Sequence, residues 1–121
     1  MKTRPPGEGG VYVVPCQGCD SVYIGQTGRT LEQRLKEHKY FVSKGDQNKA
    51  VYRHIAATDH PPDWSNSRMV YRSSDLKKRL VVESALIRKI NNFNIMGGTV
   101  SVDSSTADLI LSCNRSIIEN L

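Results

Sequence analysis

The chain has 121 residues, 38% of them hydrophobic and 24% charged, which suits one globular domain with room for a single modest core. Its net charge of +5 favours a polyanionic partner, since clustered cations displace counterions from phosphates, with a merely solvated basic surface as the alternative. No apolar run approaches the length of a membrane span. Three cysteines, Cys16, Cys19 and Cys113, are oddly numbered for a secreted disulfide scaffold, so a reducing intracellular setting is expected.

Residues 1–9 read as a Pro/Gly linker, and Met1-Lys2-Thr3-Arg4-Pro5-Pro6 lacks the charged-then-apolar pattern of a secretory leader. Val11-Tyr12-Val13-Val14 and Val22-Tyr23-Ile24-Gly25 are short β-prone runs, and the Cys16-Gln17-Gly18-Cys19-Asp20 between them has turn composition. The pair predicts a hairpin with an elaborated loop. Alternation puts Tyr12 with Val14 and Tyr23 with Gly25, so the two phenols can stand side by side.

Thr30 caps a predicted helix over 31–44 with the apolar stripe Leu31, Leu35 and Val42; Arg34 and His38 fall on or beside that stripe. A second helix is expected over 49–58, with Val51 and Ile55 inward, followed by a third strand at 68–71. Ser74 then caps a longer helix over 75–91 whose predicted apolar face is Leu76, Leu80, Ile87 and Ile90. Glu83 points into that face, where a carboxylate is costly unless compensated. Beyond Asn94 the pattern weakens; Leu109-Ile110-Leu111 reads as a strand or a helical turn, and Cys113 as a core thiol.

Arg34, His38 and Glu83 on apolar faces, with two tyrosines on the sheet, form a set suited to phosphodiester hydrolysis. A carboxylate holds a divalent cation, a guanidinium meets charge on phosphate oxygens, and a phenol or imidazole moves a proton. Patterning alone leaves open a buried Arg34–Glu83 ion pair with His38 as a helix-surface residue.

The signatures themselves go further. Gly10-Val11-Tyr12, then Tyr23-Ile24-Gly25 ten residues later, continuing Gln26-Thr27-Gly28-Arg29-Thr30-Leu31, resembles the GIY-YIG nuclease superfamily over about residues 10–95. That resemblance implies an α+β fold for 10–121, a small three-stranded antiparallel sheet flanked by helices. It also implies a DNA endonuclease using one Mg²⁺ or Mn²⁺. Carried over by position, Tyr12 becomes the candidate general base or water-positioning group, and Tyr23 a contact to the scissile phosphate. Arg34 becomes the phosphate arginine, with Arg29 a rival, and His38 a proton shuttle or phosphate contact. Glu83 becomes the metal ligand and Asn94 the polar residue that closes the site. Gly25 is expected to admit the DNA backbone or a neighbouring helix. Lys36, Lys39, Lys44 and Lys49 are candidates for tracking further phosphates.

Cys16 and Cys19 form a C-x2-C knuckle, and His54 and His60 follow as H-x5-H, which together complete a tetrahedral zinc set. A redox C-x2-C or simply free thiols and surface histidines are the alternatives. A CxxC between the two signatures with two downstream histidines looks like the endonuclease domain of Penelope-like retroelements. That likeness implies a structural Zn²⁺ in a hairpin insert and a linked reverse transcriptase. It also implies a nuclear or otherwise intracellular site of action, and nicking that leaves a 3′ hydroxyl as primer. The competing expectations are a catalytically silent DNA-binding module and a stand-alone repair or homing nuclease.

Overall fold

The computed structural model describes residues 9–95 and 97–121. The β-prone runs become strands, each slightly longer than its apolar kernel: β1 Gly10–Pro15, β2 Val22–Thr27 and β3 Arg68–Arg72. They make one antiparallel sheet in the order β2-β1-β3, so the most apolar strand lies at the centre. Between β1 and β3 a bulge at Val11/Tyr12 shifts the register. Gly10 lets the two backbones close there, since a Cβ on it would stand 2.1 Å from the Tyr71 carbonyl oxygen.

The α+β architecture expected from the resemblance is present. Helix α1 spans Leu31–Ser43 and starts on a capping box, in which Thr30 and Gln33 satisfy each other's backbone amides. Helix α2, Ala50–Thr58, ends at Asp59, which adopts the left-handed conformation (φ 59°) and turns the chain back toward the sheet. Helix α3 runs over Leu76–Lys89. Its cap is Asp75 rather than the expected Ser74, because the Asp75 carboxylate accepts from the amides of both Lys77 and Lys78.

The core lies on one side of the sheet. Val11, Val13, Ile24 and Val70 pack with Val82, Ala85 and Leu86 of α3 and with Ala107, Leu111 and Ile117 from the C-terminal region. The inward face of α3 is therefore rotated from the one read in the sequence: Leu76 is 52% exposed, while Val82, Ala85 and Leu86 are buried. That rotation turns Glu83 away from the core and toward a cleft it shares with Ile87.

The C-terminal region is helical. Helices α4, Ser104–Ser112, and α5, Arg115–Glu119, cover the sheet beside α3, and 109–111 belongs to α4 rather than to a strand. Asp103 caps α4 by accepting from the Thr106 amide at 2.7 Å, and Ala107 and Leu111, one turn apart, bury its inner face. Cys113 is exposed at the end of α4, not in the core, because the buried stripe passes through Ala107 and Leu111 and leaves that position outside.

Of the expected linker, Gly9 is described. It is buried at φ 84°, and its carbonyl accepts from Ser73 beside the end of β3. The outer edge of β2 is covered as well. Val22 donates to the Asn91 carbonyl, and Phe93 donates back to the Val22 carbonyl. Among the described residues no helix is long and apolar enough to cross a membrane.

Candidate active site and metal centre

On the face of the sheet opposite the core, Tyr12 and Tyr23 stand diagonally across the hairpin, their ring centroids 6.3 Å apart. The pairing is Tyr12 with Gly25 and Val14 with Tyr23. Gly25 has a specific use there: the Tyr12 ring lies across it, and a Cβ at 25 would come within 2.4 Å of the Tyr12 hydroxyl. The close approach expected at this glycine is thus made by the other signature's tyrosine.

Tyr12 is completely buried. Its hydroxyl accepts from Arg34 Nε at 3.2 Å and lies 2.6 Å from His38 Nε2. A buried phenol must place its one proton, and His38 Nε2 is the acceptor in reach, which sets that imidazole with its proton on Nδ1. Burial pushes the Tyr12 phenol far above its ordinary range, with Tyr23 adding to the rise and Arg34 opposing it. A wholly buried, hard-to-ionise hydroxyl bound on both sides is poorly placed to abstract a proton from water. It is well placed to hold Arg34 and His38 in position. His38 is the one buried residue of α1, where Leu31, Leu35 and Val42 were expected to lead; those three are only half-buried. Burial, then Arg34 and Lys49, lowers His38 to about 4, so the ring is neutral at neutral pH.

Tyr23, Arg34, His38, Glu83 and Asn94 line one cavity of about 250 Å³. Glu83 enters from α3 and Arg34 and His38 from α1, one turn apart. Glu83 makes no hydrogen bond or ion pair among the described residues, and burial, partly offset by Arg34, pushes its carboxyl up to about 7. An exposed-to-cleft carboxylate with a desolvation penalty and no partner fits a cation ligand. The open alternative of a direct Arg34–Glu83 ion pair is not the arrangement found. Arg34 is instead bound to Glu37 at 2.8 Å, and Arg29 pairs with that same Glu37 from the other side. Arg34 lines the cavity and Arg29 does not. Glu37, the residue that steers both arginines, was missed in the sequence because a helix-surface glutamate carries no distinguishing pattern.

Asn94 uses its side chain as a short strand. Its Oδ1 accepts from the Ile24 amide at 3.0 Å and its Nδ2 donates to the Ile24 carbonyl at 2.7 Å. It therefore fixes the cavity wall against β2 with both amide atoms engaged.

The four Cys/His residues converge. One ligand atom from each of Cys16, Cys19, His54 and His60 lies within 4.8 Å of the others. His54 Nε2 is 3.3 Å from Cys16 Sγ and 3.6 Å from Cys19 Sγ. Tetrahedral zinc, with bonds of about 2.3 Å to sulfur and about 2.0 Å to nitrogen, sets such pairs at similar spacing. Two further observations fit a metal. His60 Nδ1 is buried without a hydrogen-bond partner. Gly18, whose amide donates to Cys16 Sγ at 3.3 Å, leaves room for the imidazole, since a Cβ there would meet His60 Cδ2 at 2.4 Å. The knuckle is stitched to the segment after α2 by Gln17 donating to the Pro61 carbonyl and Asp63 donating to the Pro15 carbonyl. His54 stacks on Phe93 at 4.1 Å, and Phe93 in turn lies beside Tyr23, so the Cys/His cluster and the cleft share a wall.

No curated protein and no solved structure matches the chain. A family model does: that of the GIY-YIG catalytic domain, over residues 8–92, which holds both signatures, α1, α2 and α3 of the cleft and the Cys/His set. The chain belongs to the GIY-YIG catalytic domain family.

Proposed function

We propose that residues 10–121 form a metal-dependent DNA endonuclease that nicks target DNA and leaves a 3′ hydroxyl. The observation that carries this reading is the convergence of Glu83, Arg34, His38 and Tyr23 on one cavity, with Tyr12 holding two of them from behind. Hydrolysis to a 3′ hydroxyl breaks the P–O3′ bond. The water oxygen ends on the 5′ phosphate, and the departing 3′ oxygen takes a proton.

Glu83 would hold a single Mg²⁺ or Mn²⁺, which when bound supplies Lewis acidity and a more acidic water. Arg34, oriented by Tyr12 and Glu37, meets the charge that grows on the phosphate oxygens. Neutral His38 offers a hydrogen bond and a proton exchange site without adding charge. Tyr23 hydrogen-bonds the phosphate from the floor of the cleft. Asn94 acts by positioning, through its clamp on Ile24.

The zinc centre is structural in this reading: Cys16, Cys19, His54 and His60 bind Zn²⁺ and tie α2 to the hairpin. The likeness of the knuckle to Penelope-like endonucleases supports a retroelement setting, with an associated reverse transcriptase extending the nick inside the nucleus.

The test is relaxation of supercoiled plasmid with Mg²⁺ or Mn²⁺, comparing the wild type with Glu83→Gln. Loss of nicking with retained DNA binding supports the reading. Wild-type protein that binds DNA and never cuts, with either ion, replaces it with a non-cutting module.

A further inference from the structure

The cleft holds one cation for which the family signatures do not account. Lys49, the residue that precedes α2, lines the cavity together with Arg34, His38 and Phe41. Its ammonium sits 4.4 Å from the centre of the Phe41 ring. An aromatic face steadies an ammonium without neutralising it. Lys49 forms no ion pair among the described residues, whereas Arg34 is already bound to Glu37. Lys36 of α1 makes the contrast: its side chain is 75% exposed and faces Glu32.

Lys49 thus shares one cavity with Glu83, Arg34 and His38, and it is the cavity cation that no carboxylate among the described residues engages. We propose that Lys49 binds the phosphate adjacent to the scissile one on the cut strand, as the second cation of the cleft beside Arg34.

This assignment rests on the nuclease reading for its term "scissile", but the contact has its own readout. Neutralising a lysine that meets a phosphate lowers the slope of log affinity against log salt by about 0.9. Binding of a fluorescent duplex is measured across a salt series in divalent-free buffer for the wild type, Lys49→Met, Lys49→Arg and Lys36→Met. The expected result is a slope reduced by about one for Lys49→Met alone, at unchanged melting temperature. With Mg²⁺ added, Lys49→Met loses about tenfold or more in kcat/KM, and Lys49→Arg restores most of it.

An unchanged slope for Lys49→Met, or an equal loss for Lys36→Met, overturns the assignment even if the wild type cuts. A Lys49-dependent slope in a protein that never cuts removes the nuclease reading and keeps Lys49 as a phosphate ligand.

Discussion

Replacing Gly25 by alanine separates two physical effects of opposite sign. Gly25 does not lie in the left-handed region, so its backbone tolerates any residue. A strand interior favours alanine over glycine by roughly 0.5–1 kcal/mol, so local conformation predicts a stabilised protein. Packing predicts the reverse. The new methyl would stand 2.4 Å from the Tyr12 hydroxyl and 2.5 Å from its Cζ, and the ring is fully buried. Overpacking of this kind costs about 1–3 kcal/mol. A displaced Tyr12 also strains its contacts to Arg34 and His38, each worth about 1 kcal/mol. The net expectation is a loss of about 2–3 kcal/mol, or roughly 10 °C in Tm. Urea denaturation of Gly25→Ala, Tyr12→Ala and the double variant reads this directly. Once the ring is gone the methyl has room, so the two changes should be coupled by about 2 kcal/mol or more. A Gly25→Ala protein as stable as the wild type, or additive losses in the double variant, would refute the idea that one signature's glycine exists to seat the other signature's tyrosine.

Three further outcomes are expected. Unfolded His38 takes up a proton as pH falls through 6.5, but the folded ring resists until about 4. Its contribution to stability is therefore complete above pH 6.5 and drains away as pH falls toward 4, by about 3 kcal/mol in all. His38→Gln should show a shallower acid loss than the wild type in urea titrations at stepped pH; parallel curves would exclude His38 as the source. Cys16→Ser should lose the single equivalent of zinc seen by a metal-release dye and melt about 10 °C lower or more, since α2 is tied to the hairpin through that cluster. Retained zinc with an unshifted Tm counts against a structural centre. Asn94→Asp turns a donor facing the Ile24 carbonyl into a carboxylate oxygen, which should cost about 1–3 kcal/mol at pH 8 and reduce nicking in step. An Asn94→Asp protein as stable as the wild type would show that the clamp on β2 is dispensable.

The local elements were legible because their signals are short-range. The hairpin, the Thr30 cap, α2 and β3 follow from β-branched runs, a capping residue and apolar spacing, all contained within a few residues. Alternation made a common face for Tyr12 and Tyr23 possible and the hairpin register settled it, while residue chemistry picked out the four Cys/His residues that converge. What failed were statements about rotation and depth. Leu76 and Val82 are both strongly apolar, and only the docking of α3 against β1, β2 and α4 decides that Val82 is buried and Leu76 is not. A helical turn at 109–111 was one of two readings, but the start of α4 was missed because its cap, Asp103, sits in a Ser-rich stretch whose composition reads as loop until Ala107 and Leu111 find the α3 surface.

By itself, then, the sequence determined which chemical groups are present and which segments curl or extend, because bond geometry and side-chain shape act locally. The tertiary structure decided which of those groups reach solvent. It sealed Tyr12 beneath the cleft and left Glu83 in it with no direct ion pair among the described residues. It divided Glu37 between two arginines and brought Lys49, at the start of α2, into the same cavity as His38. Those outcomes depend on burial and on distances between residues far apart in the chain, and neither is a property of any one stretch of it.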